Sequence, residues 1–232
     1  MNTNPPRNKH NSTPAEVCIP CGAVSLEGAL AIPRGANGVV VFAHGSGSSR
    51  HSPRNQFVAQ VIRESRNGTL LFDLLTAEEE IEDNVTRRLR FDIGLLASRL
   101  VEVTRWLGEQ PAVRGLGIGY FGSSTGAGAA LVAAAEVGQR IDAVVSRGGR
   151  PDLAGDALRR VESPTLLIVG GYDQVVIRLN EEALAELRCE KELKIVPGAT
   201  HLFEEPGALE TVARLAADWF HRHFQTHSDL ID

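Results

Sequence analysis

The sequence contains few cysteines and no long apolar run, and each absence excludes a class of protein. Only three cysteines occur in 232 residues, which is too few for a disulfide framework and is typical of a reducing compartment. No stretch approaches the roughly 18 apolar residues that a transmembrane helix needs. The first sixteen residues contain no apolar block, so we also expect no secretory signal and predict a cytoplasmic protein.

Charge and composition narrow the range of partners. The net charge is −5, so the chain offers no general attraction for nucleic acid, which binds clustered positive charge. Apolar residues make up 43% and charged residues 23%, as in globular proteins that bury a full-sized core. We therefore predict no nucleic-acid partner, and the lack of a long apolar run predicts no membrane partner. The sequence leaves monomer and homodimer equally open.

One domain between two tails is the predicted organisation. Residues 1–16 are polar and rich in Asn and Pro, which predicts a disordered N-terminal tail. Residues 225–232 are predicted as a C-terminal tail. Residues 17–224 contain no linker, repeat or block of charge, so we assign them to a single domain.

Short apolar runs rich in β-formers alternate with helical patterns through this domain. The predicted strands are 17–33 (one or two strands with a turn near Glu27 and Gly28), 38–45, 68–75, 116–122, 142–149, 164–171 and 192–198. The predicted helices are 55–65, 84–109, 125–137, 178–188 and 207–224. This alternation predicts an α/β fold, with a mostly parallel twisted sheet of about seven or eight strands and helices on both faces. Residues 150–163 are too short for a large cap domain.

The third buried strand runs into Gly122-Ser123-Ser124-Thr125-Gly126, a match to the G-x-S-x-G pattern. This pattern forms a sharp turn from strand to helix that raises one hydroxyl above the sheet, with glycines on both sides so that the backbone can bend. We predict that Ser124 is a nucleophile.

A serine nucleophile needs a base and an acid that orients the base. Asp173 follows the strand at 164–171 and His201 follows the strand at 192–198, and such sheets place sites where their strands end. The order Ser124, Asp173, His201 is that of α/β-hydrolases. We therefore predict a catalytic triad, with Asp152 as the reserve candidate for the acid.

The negatively charged intermediate of acyl transfer needs two donors. We predict that these are the backbone N–H groups of Thr125 and Ser46, the latter in the Gly-rich loop after the strand at 38–45. His44, which begins this loop, is interpreted as a structural residue. Gly45 and Ser123 are further candidates for contact with the substrate.

Arg147 and Arg150 follow the strand at 142–149, and two interpretations remain open. They could bind a substrate carboxylate or phosphate, or they could pair with Asp152 or Asp156. The acidic cluster at residues 78–83 follows Thr76, which forms a predicted capping box with Glu79. If this cluster overhangs the site, it would disfavour anionic substrates.

No metal or cofactor is predicted. Cys18 and Cys21 have the spacing of half a zinc site, but the sequence holds no second cysteine pair to complete it. His221 and His223 are two residues apart on a predicted helix, so they point to different faces. The predicted chemistry needs neither group.

Six segments together resemble the dienelactone-hydrolase-like branch of the α/β-hydrolase superfamily, and more narrowly small bacterial hydrolases that are sometimes fused to phosphoribosyltransferase domains. They are VVFAHGSGSSRHSPRN, LLFDLLT, GYFGSSTGAG, VVSRGGRPDLA, LLIVGGYD and VPGATHLFEEPG. The resemblance covers about residues 17–224. It implies an eight-stranded α/β-hydrolase fold and hydrolysis of esters or related acyl compounds, with Ser124 as nucleophile, Asp173 as acid and His201 as base.

One residue departs from the family pattern. Dienelactone hydrolases carry cysteine at the nucleophile position, where this chain has Ser124. The departure favours a serine esterase over an enzyme for dienelactone itself. The predicted partner is a small-molecule, ester-type substrate: an ester, lactone or thioester of a small or accessible acyl group. An acyltransferase or amidase with the same triad, and a catalytically silent binding module on the same fold, are the alternatives.

Overall fold

The computed structural model describes residues 13–224, so most of both predicted tails, residues 1–12 and 225–232, lies outside the described residues. Within this range eight strands form one sheet. They are β1 (Ala15–Cys21), β2 (Val24–Ala31), β3 (Gly38–Ala43), β4 (Gly68–Phe72), β5 (Gly117–Ser123), β6 (Ala143–Arg147), β7 (Thr165–Gly170) and β8 (Lys191–Val196). Their order is β1-β2-β4-β3-β5-β6-β7-β8. Strand β2 is antiparallel to β1 and β4, and the other neighbours are parallel.

Helices cover both faces of the sheet, as predicted. In the described range they are α1 (Pro53–Glu64), α2 (Ala77–Thr86), α3 (Ile93–Gly108), α4 (Thr125–Val137), α5 (Gln174–Glu186) and α6 (Ala208–His223). Helices α1 and α6 pack on one face, and α3, α4 and α5 pack on the other. None of these helices combines the length and the apolar character needed to cross a membrane.

Strand β3 shows why its sequence is a continuous apolar run. All six of its residues are buried. Val39 and Val41 face the core under α3 and α4, whereas Val40 and Phe42 face the core under α1 and α6. Because successive side chains point to opposite faces, a strand with helices on both sides must be apolar at every position.

The helix predicted over 84–109 is wrong, because the structure divides this region. Helix α2 ends at Thr86, a short 3-10 turn follows, and α3 begins at Ile93. Arg87 adopts the left-handed conformation at φ 53°, which stops α2. The Asp83 carboxylate accepts two backbone N–H groups of the following turn, and Asp92 caps α3. Apolar periodicity continued through the break and therefore did not reveal it. At the other end of α2, the capping box of Thr76 and Glu79 is confirmed.

The predicted turn near Glu27 and Gly28 is also wrong. The chain turns at Gly22, which has a φ of 60°, and Gly28 lies inside β2 between its neighbours. A Cβ atom on Gly28 would lie only 3.2 Å from Phe72 Cβ, so the glycine serves close strand packing there. Strand β1 begins at Ala15, two residues before the predicted start of the domain.

Among the described residues, no large cap covers the edge of the sheet where the parallel strands end, which we call the carboxyl edge. Between β6 and β7 the chain forms only a short 3-10 segment, Pro151–Arg160. This segment packs against α4 and α5. In the described chain, the loops that follow the parallel strands border the carboxyl edge together with residues of α1 and α2.

Candidate active site

A strained turn places Ser124 between β5 and α4. Its φ of 51° and ψ of −122° are unusual for a residue with a side chain and are found at functional turns. A Cβ atom on Gly122 would lie 2.4 Å from Ala127 Cα, and one on Gly126 would lie 2.3 Å from the Ala43 carbonyl oxygen. Only glycine fits at these two positions, because α4 starts in direct contact with β5 and β3.

Hydrogen bonds fix this turn to its surroundings. The Ser124 N–H donates to the Arg147 carbonyl at 3.3 Å, and the Ser124 carbonyl accepts the Arg150 N–H at 3.0 Å. Next to it, Ser123 Oγ donates to Asn55 Oδ1 on α1 at 3.2 Å. The turn is thereby held against both the loop after β6 and the start of α1.

Asp173 and His201 lie together beyond the ends of β7 and β8. Asp173 Oδ2 is 2.6 Å from His201 Nδ1. The two loops are joined by a bond from the Tyr172 N–H to the Ala199 carbonyl at 2.9 Å. Asp173 is the residue before α5, yet its side chain does not cap that helix, so the carboxylate is available to the imidazole. Because Nδ1 faces the carboxylate, Nε2 is the ring nitrogen left to accept a proton.

Ser124 and His201 line one cavity of about 250 Å³, which we call the nucleophile cavity. Gly45, Ser123 and Arg147 line it too. A Cβ atom on Gly45 would lie 3.2 Å from Ser124 Cβ, so this loop touches the serine. In the described chain no hydrogen bond joins Ser124 Oγ to the His201 ring. Such bonds are often long without substrate and shorten when it binds.

A second cavity of about 470 Å³ adjoins the first, and we call it the α2 cavity. The two cavities share the loop from Gly45 to Ser48 and the start of α1. The α2 cavity has an apolar part made by three leucines, Leu74, Leu75 and Leu96. Glu80 and Asp83 also line it, so the acidic cluster does reach the site.

The two predicted oxyanion donors differ in their surroundings. The Thr125 N–H belongs to the first turn of α4, where backbone N–H groups have no partner within the helix. The Ser46 N–H instead donates to Thr125 Oγ1 at 2.9 Å. The Ser46 N–H is therefore engaged in this structure, and its role as an oxyanion donor stays a prediction.

The side chains of Arg147 and Arg150 have different partners in the structure. Arg150 makes a bidentate pair with Asp152, with distances of 2.8 Å and 2.7 Å. Arg147 is 7% exposed, and its guanidinium makes no hydrogen bond or ion pair with any described residue. Burial, with a smaller effect from the positive charge of Arg54, lowers the pKa of Arg147 to about 10. Arg147 therefore keeps its charge at neutral pH.

His44 joins the two loops that border the α2 cavity. Its Nε2 accepts the Leu74 N–H at 3.0 Å, so its Nδ1 carries the proton and donates to the Gly45 carbonyl at 3.0 Å. Burial lowers the pKa of His44. These contacts support the structural interpretation of this residue, because both ring nitrogens are engaged with the backbone.

His44 should make stability depend on pH. The folded chain keeps the buried imidazole neutral, whereas an unfolded chain binds a proton below about pH 6.5. The free energy of unfolding should therefore decrease as the pH falls below that value. We expect His44→Gln, which cannot be protonated, to flatten the decrease between about pH 6.5 and pH 5, as measured by urea unfolding.

His223 would contribute to the same pH dependence, so its effect must be removed by a control substitution. Burial also lowers the pKa of His223, so the slopes should be compared in a His223→Gln background. An unchanged slope on replacing His44 there would show that its protonation is not coupled to folding.

Sequence analysis missed the contribution of α1 to the site. Ser52, Arg54 and Asn55 all line the nucleophile cavity. The available signal was Ser52-Pro53, since serine before a helix and proline at its first position mark a helix start. Ser52 is indeed the N-cap of α1, which begins two residues before the predicted start. Because α1 begins earlier than predicted, its N-terminus lies at the carboxyl edge of the sheet.

Within residues 13–224, no group of three or more His, Cys, Asp or Glu side chains is placed to hold a metal ion. The three cysteines Cys18, Cys21 and Cys189 are free thiols.

Comparison with known proteins gives a consistent family match. The model of the dienelactone hydrolase family matches residues 26–228. A crystal structure of a dienelactone hydrolase from Anabaena variabilis is 60% identical in sequence and superposes with a TM-score of 0.90, covering 92% of this chain and 100% of that one. Est1E from Butyrivibrio proteoclasticus is 15% identical, has a TM-score of 0.75 and covers 90% of this chain and 98% of its own; it shares the fold.

The curated relatives are longer proteins. Two sequences from Mycobacterium tuberculosis strains are 60% identical over 208 residues, which is 90% of this chain and 46% of theirs. Both carry the name of a phosphoribosyl transferase. The chain thus spans about half the length of the curated relatives that it matches.

Proposed function

Because the chain belongs to the dienelactone hydrolase family, we propose that it is a serine hydrolase that cleaves a carboxylic ester of a small or accessible acyl group. The observation that carries the proposal is the 2.6 Å contact between Asp173 and His201, on the cavity that Ser124 also lines. Lactones and thioesters fall within the same chemistry.

The proposed reaction passes through an acyl-enzyme. Ser124 Oγ attacks the carbonyl carbon while His201 Nε2 takes its proton, and Asp173 stabilises the resulting imidazolium. The N–H groups of Thr125 and Ser46 stabilise the negative oxygen of the tetrahedral intermediate. When the bond to the leaving oxygen breaks, His201 returns the proton to the alcohol. Water then attacks the carbonyl carbon of the acyl-enzyme while His201 Nε2 takes its proton. His201 returns this proton to Ser124 Oγ as the bond to the acyl group breaks, and the carboxylic acid is released.

The surroundings of the site favour accessible substrates. In the described chain no large cap lies over the carboxyl edge, so both cavities are open to a small ester or to an acyl group on a larger molecule. The apolar part of the α2 cavity is suited to a short acyl chain. The cytoplasmic location and the absence of a cofactor stay predictions.

A fluorophosphonate probe tests the proposal directly. We expect the probe to label the wild-type chain once, at Ser124, because the activated hydroxyl attacks phosphorus as it would attack a carbonyl carbon. Mass spectrometry of the digested protein locates the adduct. Ser124→Ala should lose the label, and Ser123→Ala, one residue away, should keep it.

The same assay separates the alternatives. A silent binding module would remain unlabelled in the wild type, and label that persists in Ser124→Ala would place the reactive residue elsewhere. If labelling succeeds, a panel of ester, thioester, lactone and amide substrates distinguishes an esterase from an amidase. Added alcohols that divert the acyl group from water would reveal an acyltransferase.

Phosphoribosyl transfer is not proposed for this chain. The name of the Mycobacterium tuberculosis relatives applies to proteins about twice as long. The half that they share with this chain is the part that matches the dienelactone hydrolase family.

A further inference from the structure

The two cavities beside Ser124 differ in charge. Arg147 and Arg54 line the nucleophile cavity, and none of its lining residues is an aspartate or glutamate. Glu80 and Asp83 line the α2 cavity together with Arg54 and Arg90, and Arg90 pairs with Asp83. Arg147 lines the nucleophile cavity alone, whereas Arg54 lines both cavities. An anionic part of a substrate therefore meets an arginine and no carboxylate in the nucleophile cavity, and meets two carboxylates in the α2 cavity.

Arg147 stands out among the arginines near this edge because it is buried and no described residue provides it with a counterion. The others contact carboxylates: Arg50 contacts Asp73, Arg90 contacts Asp83, Arg99 contacts Glu79 and Arg150 contacts Asp152. The Nε atom of Arg147 is buried without a hydrogen-bond partner. One face of its guanidinium lies over the Phe203 ring, 5.9 Å from the centroid. A buried, unpaired guanidinium destabilises the fold unless an anion binds it.

Further donors surround the position that Arg147 faces. Helix α1 has 12 residues and begins at this cavity, so the positive end of its dipole lies there. Ser48 and Ser52 add hydroxyl groups. Arg54 belongs to the first turn of α1, and its Nε is also buried without a partner. At the rim, Glu204 accepts a hydrogen bond from Arg54 Nη1 at 3.1 Å and offsets part of its charge, which leaves Arg147 as the main anchor.

This set of groups favours phosphate over carboxylate. A phosphate monoester carries between one and a half and two negative charges and presents three terminal oxygens, whereas a carboxylate carries one charge on two oxygens. Guanidinium groups, hydroxyls and a helix N-terminus that converge from different directions can each take one phosphate oxygen.

The position of His201 decides which part of the substrate carries the phosphate. His201 must return a proton to the leaving oxygen, so the leaving alcohol lies beside it. His201 and its neighbour Leu202 line the nucleophile cavity and do not line the α2 cavity. The alcohol therefore occupies the nucleophile cavity, and the acyl group extends toward the leucines of the α2 cavity.

We propose that Arg147, together with Arg54 and the N-terminus of α1, binds a phosphate group on the alcohol part of the ester that this chain hydrolyses. The inference rests on the proposed esterase function and names its substrate class: carboxylic esters of small phosphorylated alcohols. The phosphate is a binding group only. The acyl C–O bond breaks, water supplies the new oxygen, and the phosphorylated alcohol leaves intact.

Three acetates with the same acyl group test this specificity. They are 2-acetoxyethyl phosphate, 3-acetoxypropanoate and the neutral 2-methoxyethyl acetate. We expect kcat/KM to be at least about tenfold higher for the phosphate ester than for either other acetate, since charge-assisted contacts to a buried guanidinium exceed neutral ones. Arg147→Met should abolish this preference, and Arg147→Lys should restore only part of it because lysine lacks the planar fork.

Arg150→Gln is the matched control, because Arg150 follows the same strand but pairs with Asp152. We expect it to keep the phosphate preference. Equal kcat/KM values for the three acetates, or a preference for the carboxylate, would overturn the proposal. So would an unchanged preference in a folded Arg147→Met chain.

A binding measurement separates this proposal from the proposed function. Inorganic phosphate should bind the wild-type chain, as followed by ³¹P line broadening, and binding should be lost in Arg147→Met. If phosphate binds while no acetate is hydrolysed, the esterase function fails and the anion site stands. If acetates are hydrolysed while phosphate does not bind, the phosphate site fails and the esterase stands.

Discussion

Ser124→Ala is expected to reduce ester hydrolysis by on the order of 10³- to 10⁶-fold while the chain stays folded. The loss follows because removal of the hydroxyl prevents the acyl-enzyme from forming, and the remaining groups only bind substrate and polarise its carbonyl. Steady-state kinetics on a short p-nitrophenyl ester measure the change. Because Ser124 is held at a positive φ of 51°, which disfavours serine and alanine alike, the substitution should leave the backbone strain of the turn similar.

Two observations would contradict this expectation. An unchanged rate on the p-nitrophenyl ester would remove Ser124 from the mechanism. A reduced rate accompanied by a lower Tm would point to disruption of the turn, so thermal unfolding should be measured on the same samples.

Asp173→Asn is expected to lower kcat by on the order of 10⁴-fold, the size of effect seen when such an acid is replaced by its amide. The Asp173 carboxylate accepts a hydrogen bond from the N–H at His201 Nδ1, which leaves Nε2 free as the base. An asparagine amide can donate to Nδ1 instead, which favours the tautomer with the proton on Nε2. That tautomer cannot accept the proton of Ser124. Because the two side chains have the same shape, binding of substrate and the Tm should change little.

Asp152→Asn provides the comparison, since Asp152 is the reserve candidate for the acid. Its carboxylate is bound by Arg150, and the His201 ring is bound by Asp173. We expect Asp152→Asn to alter kcat little. If Asp152→Asn lost activity and Asp173→Asn kept it, the assignment of the acid would have to be exchanged.

The sequence predicts the sheet and the location of the candidate site well, because both depend on local patterns. Buried strands such as β3 are apolar at every position, and the sharp turn at Ser124 needs Gly122 and Gly126 on either side. Since parallel strands end at the same edge, placing Asp173 and His201 after successive strands was enough to expect them near each other. Their 2.6 Å contact is consistent with this expectation.

Features that depend on distant contacts could not be predicted in this way. The break between α2 and α3 depends on Asp83, whose carboxylate binds backbone groups beyond the helix end. The different surroundings of Arg147 and Arg150 depend on which carboxylates lie within reach after folding. The engagement of the Ser46 N–H by Thr125 joins residues far apart in the chain, and no local pattern indicates it.

The shared wall between the two cavities constrains how the selectivity of this chain can change. Since the loop from Gly45 to Ser48 borders both cavities, a substitution there alters the fit of the acid and alcohol halves of an ester at once. A substitution that alters the fit of only one half of the ester must lie at a position that lines one cavity alone. Leu96 is such a position for the acid half, and Arg147 is one for the alcohol half. Engineering efforts that vary these positions should tune one preference independently of the other.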